Sequence, residues 1–216
     1  MRILALTDIH GAYETMRSII AKERLCDVIV LGGDITTNGT EADIGEALTI
    51  AEQSGKRVFA VCGNMDPAPL ENTLVEHGVS INAKGVILDD VGFFGVSAAP
   101  ISFLHTPNEV SEEEIARRAE LGWQDVVHAR RKIFVPHAPP SGTKADRTFI
   151  GKHVGSTAVR KFIEERQPDV VVCGHIHEAR GQDVIDGTKI VNCGGAAKGF
   201  YAVVDIGSKI VVSNRL

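Results

Sequence analysis

The sequence has no Cys-x-x-Cys pair among its four cysteines, which lie in or beside apolar runs at Cys26, Cys62, Cys173 and Cys193. Without such a pair, buried free thiols are the expected state of these side chains. Free thiols are typical of proteins that work in a reducing compartment. We therefore expect a cytoplasmic protein that needs no disulfide.

Long hydrophobic runs and an excess of positive charge are also missing. No apolar run approaches the roughly 18 residues that cross a bilayer, and the chain turns polar at Asp8, too early for a signal peptide. The 23 Lys and Arg residues against 28 Asp and Glu residues give a net charge of −5 at pH 7. A mildly acidic chain is a poor candidate for long duplex nucleic acid, which favours a basic face. We expect no membrane and no long duplex as partners, whereas the oligomeric state is open.

The chain is nevertheless long enough to bury a core of its own. Its 216 residues are 44% hydrophobic, which suits one domain stabilised without disulfides or structural metal. No internal repeat, low-complexity tract or linker divides it. We therefore expect a single domain over residues 1–216.

Short apolar runs rich in valine and isoleucine alternate with helix-like stretches through much of the chain. The runs are Ile3–Thr7, Asp27–Leu31, Arg57–Val61, Ile133–Pro136 and Asp169–Cys173. Runs of this length and continuity are typical of strands buried on both faces. Helices are predicted over Tyr13–Glu23, Glu41–Ser54 and Ser156–Arg166. A longer helix opens with the capping box at Ser111, and Gly122 is expected to kink or split it.

The last fifty residues have a different pattern, in which short strands are separated by Asp-Gly, Gly-Gly and Gly-Ser turns. These strands are predicted at Val184–Ile185, Lys189–Asn192, Tyr201–Ile206 and Ile210–Ser213, and a further pair at Val86–Leu88 and Gly92–Val96. Alternation early in the chain and hairpins late favour an α/β fold of two packed sheets flanked by helices, rather than one doubly wound sheet.

Side chains of the types that bind metal ions in proteins follow directly after five of the predicted strands. They are Asp8, His10, Asp34, Asn64, His137, His175 and His177. In α/β proteins, ligands bind at the carboxyl ends of the strands. Two carboxylates, one amide and four imidazoles are too many for one tetrahedral zinc, but they suit two divalent ions that share a carboxylate.

The spacing of these residues adds two expectations. Asp8 and His10, two apart in an extended segment, should point to the same side, and His175 and His177 repeat the arrangement. Glycines directly before Asp34, Asn64 and His175 should relax the backbone and let metal or phosphate approach closely.

Each motif alone also has an ordinary structural interpretation. Asp8 and Asp34 could be capping or turn residues, and His137 beside prolines could belong to a surface loop. The occurrence of all five motifs after strand-like runs is what favours a metal site.

In chain order, these motifs resemble the five sequence blocks of the calcineurin-like metallophosphoesterase superfamily. The matching residues are Asp8-x-His10, Gly33-Asp34, Gly63-Asn64, His137 and Gly174-His175-x-His177. The resemblance covers nearly the whole chain and implies a four-layer α/β/β/α sandwich with a two-metal centre between loops at one end. The small size resembles the compact prokaryotic phosphodiesterase branch, which is related to the retromer subunit vacuolar sorting protein 29.

The resemblance also implies a role for each ligand. Asp8, His10, Asp34 and His177 would hold the first metal, and Asp34, Asn64, His137 and His175 the second, with Asp34 bridging both. The expected cofactors are two divalent ions, manganese first, with iron, zinc, nickel and cobalt as alternatives, because mixed oxygen and nitrogen ligands accept several metals.

The expected reaction is hydrolysis of a small or nucleotide-like phosphodiester. Two metal ions about 3.5–4 Å apart clamp a phosphoryl oxygen and hold a hydroxide between them. That hydroxide should attack phosphorus in line. Asp34, Asn64 and His175 are assigned to catalysis.

Met65 departs from the commoner pattern of the superfamily, in which a histidine follows Gly-Asn. A thioether can neither donate a proton nor carry charge, so the departure favours phosphodiesters over monoesters. His105 is a candidate replacement acid, and Lys144 and Arg147 are candidates to grip the substrate phosphate, although ordinary loop positions are the favoured interpretation of all three. Asp66 is expected to orient a ligand or to pair with a cation.

Two other functions stay open. One is a phosphomonoesterase or protein phosphatase. The other is a non-catalytic, protein-binding scaffold of the same fold, as in the related retromer subunit. Loss of metal ligands would favour the scaffold, but every ligand position is filled in this sequence.

Overall fold

The computed structural model describes residues 1–216 and consists of two large β-sheets, a two-stranded sheet and five α-helices. The strands are β1 (Arg2–Leu6), β2 (Val28–Gly32), β3 (Arg57–Val61), β4 (Gly85–Leu88), β5 (Val91–Val96), β6 (Ala99–Pro100), β7 (Glu109–Val110), β8 (Arg131–Pro136), β9 (Val170–Cys173), β10 (Gly181–Ile185), β11 (Thr188–Asn192), β12 (Tyr201–Ile206) and β13 (Ile210–Arg215). The helices are α1 (Tyr13–Lys22), α2 (Glu41–Glu52), α3 (Leu70–Glu76), α4 (Glu112–Val126) and α5 (Thr157–Arg166).

Both large sheets are mixed. The first has the order β13-β12-β1-β2-β3, with β1, β2 and β3 parallel and β12 antiparallel to β1. The second has the order β10-β11-β9-β8-β5-β4, parallel in its centre and closed at each edge by an antiparallel strand. Because the central strands of each sheet are parallel, the loops that follow them meet at one edge.

The first sheet is buried on both faces, as the continuous apolar runs predicted. In β1, Leu4 and Leu6 face a core shared with α1 and α2. Ile3 and Ala5, on the opposite face, belong to a second core that lies between the two sheets. This division follows the two-residue period of a strand.

The second sheet also packs against a hydrophobic core on each of its two faces. Between the sheets, the rings of Phe59 and Phe93 stack with centroids 4.7 Å apart. On the outer face, Phe94 and Phe134 of the sheet pack against Phe162 of α5 in a third core, which α4 also covers. Three cores separate four layers, so the predicted α/β/β/α sandwich of two mixed sheets is confirmed.

All the predicted strands are present, with small shifts at their ends. Strand β2 begins at Val28 rather than Asp27, β8 begins two residues early at Arg131, and β10 begins at Gly181. Helix α3 and the short strands β6 and β7 were not predicted from the sequence.

The prediction that Gly122 kinks or splits its helix is wrong, because α4 runs unbroken from Glu112 to Val126. The glycine serves packing instead: a Cβ there would lie 3.0 Å from Phe94 Cβ and 3.2 Å from the carbonyl oxygen of Lys84. Ser111 caps this helix and accepts from the Glu114 N–H, as predicted. Only half of the capping box forms, since the Glu114 carboxylate pairs with arginines of the next turn.

The four cysteines are buried free thiols, which confirms the expectation from their spacing. Burial raises the pKa of all four thiols. None of the helices combines the length and the apolar character that a membrane span requires.

Candidate metal centre

The seven side chains predicted to bind metal converge at the carboxyl ends of β1, β2, β3, β8 and β9. Two groups have ligand atoms within 4.8 Å of one another: Asp8, His10 and His177 form the first cluster, and Asp34, His137 and His175 form the second. The aspartates and His10 follow strands of the first sheet, whereas the other histidines follow strands of the second. Each cluster therefore joins the two sheets.

Asp34 lies between the two clusters. Its Oδ2 is 3.7 Å from His10 Nε2 and 3.5 Å from His137 Nε2. Its Oδ1 accepts a 2.7 Å hydrogen bond from the backbone N–H of Met65. One oxygen is thus held by the protein and the other faces both clusters, which is the arrangement that a bridging carboxylate needs.

In the first cluster, donor atoms crowd around one point. His177 Nε2 lies 3.2 Å from Asp8 Oδ1 and 3.3 Å from His10 Nε2. The other ring nitrogen of His10 hydrogen-bonds with the Thr37 hydroxyl at 2.9 Å. Two imidazole nitrogens and a carboxylate oxygen that face one another fit a cation, because each presents a lone pair.

In the second cluster, the fully buried His137 has a defined orientation. Its Nδ1–H donates to the carbonyl oxygen of Gly32 at 2.9 Å, so Nε2 carries the lone pair of the neutral ring. That Nε2 lies 3.0 Å from the amide oxygen of Asn64. When no metal is bound, a proton on Nε2 bridges the two atoms, in line with the raised pKa of His137. A metal ion would take the place of that proton, because the neutral ring and the amide oxygen both offer lone pairs.

The pKa values show that the site attracts positive charge. Burial alone would raise the pKa of Asp8, but the hydrogen bond with His177 and the charge of His137 lower it to about 2. Burial alone would lower the pKa of His137, but Asp34 and Asp8 raise it to about 9. Burial and the neighbouring His137 lower the pKa of His175 to about 4. The Asp8 carboxylate is therefore ionised, and His175 is neutral and free to bind a cation at neutral pH.

Four of the seven residues have left-handed backbones: φ is +55° at Asp8, +50° at His10, +49° at Asp34 and +67° at His175. Such values are uncommon outside glycine. The expectation of extended Asp-x-His and His-x-His segments is therefore wrong. The first pair meets through a tight turn, whereas His175 and His177 point into different clusters because a 3₁₀ turn begins at His177.

The glycines before three ligands make room for ligand side chains of the protein. A Cβ at Gly33 would collide with the ring of His137, one at Gly63 with the carboxylate of Asp34, and one at Gly174 with the carboxylate of Asp8. Gly33 also has the conformational role that was predicted, since its φ is +95°. Close approach of metal or phosphate to these glycines stays a prediction.

Asp66 connects two of the ligand loops. Its buried carboxylate accepts from the backbone N–H groups of Ile35 (3.1 Å), Thr36 (2.7 Å) and Gly63 (2.8 Å), and from the Thr36 hydroxyl (2.8 Å). It pairs with no cation. Of the two roles expected, Asp66 has the orienting one, since it holds the loops of Asp34 and Asn64 together.

The structure does not bring the weaker candidates into either cluster. His105 is exposed and makes no hydrogen bond with a clustered residue. Lys144 and Arg147 are exposed on the loop after β8, where the backbone N–H of Lys144 donates to Asp183. Ser156 is the N-cap of α5, as predicted.

Two supporting groups were missed. The Met65 backbone N–H donates a hydrogen bond to Asp34 Oδ1. The sequence motif concerned only the Met65 side chain and gave no sign of this contact. Asn108 donates from its side chain to the Gly63 carbonyl and from its backbone to the Asn64 carbonyl. Asn108 lies outside every motif, so only its position in the fold reveals its role.

Cavity size does not identify the site. A cavity of about 610 Å³ lies at the opposite end of the sheets, near Met1, Asp27 and Arg131. It contains neither of the two ligand clusters. A smaller cavity of about 400 Å³ adjoins His177.

Comparison with known families gives a match to the model of the calcineurin-like phosphoesterases over residues 1–179. Among curated proteins, the uncharacterised protein MJ1162 of Methanocaldococcus jannaschii is 34% identical over 218 residues, covering 98% of this chain and 95% of the relative. The UPF0046 protein K07C11.7 of Caenorhabditis elegans is 25% identical, covering 92% of this chain and 71% of the relative.

Solved structures share the fold at lower identity. TT1561 of Thermus thermophilus has a TM-score of 0.75 at 19% identity, covering 99% of this chain and 98% of the other. A dimetal phosphatase from Danio rerio has a TM-score of 0.68 at 11% identity, covering 100% and 96%. At these identities, the likeness establishes the architecture alone.

Proposed function

The chain belongs to the calcineurin-like phosphoesterase family, and from this membership we propose that it is a phosphodiesterase that hydrolyses small or nucleotide-like phosphodiesters with two divalent metal ions. The family is one of metal-dependent phosphoester hydrolases with dinuclear centres. The observation that carries the proposal is the position of Asp34 Oδ2, which faces His10 in one cluster and His137 in the other.

The proposed ligands of the first metal are Asp8, His10, Asp34 and His177, and those of the second are Asp34, Asn64, His137 and His175. These residues would hold two divalent cations, which would activate water as the nucleophile and offset the negative charge of the phosphoryl group. Manganese is the proposed metal, since a mixed oxygen and nitrogen set suits it, and iron, zinc, nickel and cobalt are the alternatives.

The protein contributes orientation. The Met65 N–H fixes one oxygen of Asp34, the Gly32 carbonyl fixes the ring of His137, and the His175 N–H donates to the Asp8 carboxylate at 3.0 Å. These contacts hold the ligand atoms in place before substrate arrives, so little reorganisation is needed during the reaction.

The preference for diesters rests on Met65. Its side chain cannot protonate a leaving oxygen, and the candidate replacement His105 is exposed and contacts no clustered residue. General acid catalysis typically contributes about 10²–10⁴-fold. Without it, esters with good leaving groups should react best, and phosphodiesters are favoured over monoesters.

A protein-binding scaffold is the second candidate. One observation favours it: the loop between β6 and β7 exposes Ile101, Phe103 and Leu104, with 87% of Phe103 accessible. The filled ligand positions favour the enzyme. The third candidate function is that of a phosphomonoesterase, since the Danio rerio structure of the same fold is described as a phosphatase.

The proposal also extends to the setting of the protein. The free thiols support a reducing, cytoplasmic location. The net charge of −5 argues against long duplex nucleic acid as a partner.

The test compares bis-p-nitrophenyl phosphate with p-nitrophenyl phosphate after the protein is stripped with chelator and reconstituted with manganese. We expect diester turnover that requires metal and exceeds monoester turnover. Faster monoester turnover would identify a phosphatase. No turnover of either ester, with metal confirmed bound, would favour the scaffold.

Variants connect the activity to the site. Asp34→Asn and His175→Ala should each abolish turnover, because the first removes charge between the clusters and the second removes a ligand. Asp186→Asn, which changes the same charge in an exposed turn, is the matched control. Full activity and metal content in Asp34→Asn would refute the ligand assignment.

A further inference from the structure

A cavity of about 400 Å³ opens beside the first cluster. Its aromatic and basic lining residues are Phe149, His177, Arg180, Lys198 and Phe200. We propose that this cavity is a substrate subsite that binds an aromatic ester group of the phosphodiester. The inference rests on the proposed function, because it assigns a place to one of the two groups esterified to the phosphate.

The cavity is fixed relative to the metal ligands. His177 belongs both to the first cluster and to the cavity wall. Next to it, the 3₁₀ turn Ala196–Lys198 is anchored by N–H groups that donate to the carbonyls of Thr7 (2.9 Å) and Asp8 (3.2 Å). A phosphoryl group held at the clusters would therefore have its ester groups next to a wall of defined position.

The His177 side chain is 37% exposed, so part of its ring is open to solvent. A Cβ at Gly195 would lie 3.9 Å from the ring, in ordinary van der Waals contact, so the glycine leaves that part of the imidazole uncovered.

Two phenyl rings, those of Phe149 and Phe200, form aromatic surfaces in the cavity wall. The ring of Phe149 is 90% exposed, so a ligand that covered it would remove apolar surface from water and gain affinity. The loop that carries it is ordered by the buried Asp146, which accepts from the N–H groups of Gly142, Thr143 and Gly155. The exposed ring is thus presented by a well-bonded loop.

The second ring is also held in place. The Arg180 guanidinium lies 4.4 Å from the centroid of Phe200, within the range of a cation–π contact. Lys198, by contrast, makes no hydrogen bond or ion pair with its side chain, so its ammonium group is available to an anionic substrate. Glu178 is the one carboxylate in the lining.

Aromatic faces together with cations are suited to an ester group that carries an aryl or heteroaryl ring, and nucleosides, whose base is joined to the phosphate through ribose, are members of this class. A volume of about 400 Å³ is large enough for such a group, since small-molecule sites commonly measure roughly 300–1,000 Å³. Arg180, Lys198 and Phe200 lie beyond the residues 1–179 that the family model matches. The subsite is therefore built in part by a segment outside that match.

The first experiment compares bis-p-nitrophenyl phosphate with methyl p-nitrophenyl phosphate, which share a leaving group but differ in the group that stays on phosphorus. The ratio of kcat/KM for the two esters should favour the diaryl ester. In Phe149→Ala this ratio should fall about tenfold, the effect of losing one aromatic stacking partner. In Phe103→Ala, which removes an equally exposed ring from another loop, the ratio should stay at the wild-type value.

The second experiment measures binding without turnover. Isothermal titration of the manganese-loaded protein with phenylphosphonate and with methylphosphonate should show tighter binding of the phenyl compound, and Phe149→Ala should remove most of the difference. This selectivity in a protein that hydrolyses neither ester would support the subsite and refute the hydrolase. Equal affinities in the wild type, or an unchanged difference in Phe149→Ala, would overturn the subsite even in an active enzyme.

Discussion

Left-handed backbone at Asp8, His10, Asp34 and His175 concentrates conformational strain in the residues that face the two clusters. Strain of this kind persists only where surrounding contacts hold it. Here the loops hold each other: the Asp8 N–H donates to the Gly33 carbonyl and the His10 N–H to the Asp34 carbonyl, both at 2.9 Å. The ligand residues are therefore preorganised by contacts between loops rather than by the strands alone.

Asp66 is the residue whose removal should reveal this preorganisation. In Asp66→Asn, a single amide oxygen replaces two carboxylate oxygens, and the new NH₂ group faces N–H donors of Thr36 or Gly63. A buried donor left without a partner costs about 1–3 kcal/mol. We expect the free energy of unfolding in urea to fall by about this amount, and manganese to bind more weakly because the loops of Asp34 and Asn64 lose their link.

The control is Asp186→Asn, which makes the same chemical change in an exposed turn and should leave both quantities unchanged. Wild-type stability and metal affinity in Asp66→Asn would show that the loops do not depend on this carboxylate.

At the scale of elements, the loop between β6 and β7 is organised around one carboxylate. Glu109 accepts from the backbone N–H and the hydroxyl of both Ser102 and Thr106 at 2.8–3.0 Å. Burial alone would raise the pKa of Glu109, but these hydrogen bonds lower it to about 2. The four bonds hold Phe103 and Leu104 at the exposed tip of the loop.

The lowered pKa sets the direction of a pH effect. Because the pKa in the folded loop lies below the ordinary value of 4.5, the stabilisation by Glu109 is complete above about pH 4.5 and disappears as the pH falls towards 2. In Glu109→Gln the charge is absent at every pH. Pepsin, which works across this range, should therefore cut near Phe103 faster in Glu109→Gln than in wild type at pH 4.5, and equally fast at pH 2.

Because Glu109→Gln and wild type are compared at the same pH, the pH dependence of pepsin activity cancels in the ratio of their cleavage rates. Glu164→Gln, on the exposed side of α5, should be cut at the wild-type rate throughout. A constant ratio of cleavage rates for Glu109→Gln and wild type from pH 4.5 to 2 would contradict the role of the carboxylate.

Over the whole molecule, the elements that the sequence predicted well are those with a local signal. Continuous apolar runs that end in Asp, Asn or His predicted β1, β2, β3, β8 and β9, together with the six clustered residues and Asn64. Hydrophobicity of a run does not depend on distant parts of the chain, so these features can be read directly.

The features that were missed depend on contacts between distant segments. Gly122 was expected to break α4, but it allows the helix to approach Phe94 and Lys84. The left-handed turns at the ligands and the role of Asn108 arise from loops that meet only in the folded chain. The cavity at His177 combines residues 149 and 198–200, which no sequence motif connects.

The two sheets meet at the candidate metal centre, and this has a consequence for the stability of the whole protein. Each cluster contains side chains from both sheets, so a bound ion would link the sheets in addition to their apolar interface and the hydrogen bonds between their loops. An ion that binds only the folded protein stabilises it by about 2.7 kcal/mol when its free concentration is a hundred times its Kd. For a chain of this size, 1 kcal/mol raises Tm by roughly 2–4 °C.

We therefore expect excess chelator to lower the Tm of the manganese-loaded protein by several degrees in calorimetry. Asp34→Asn should lose most of this metal-dependent difference, because Oδ2 faces both clusters. Asp186→Asn should retain it. Equal Tm values with and without chelator, in a protein whose bound manganese has been measured, would mean that the ion binds the unfolded chain as tightly as the folded one and does not link the sheets.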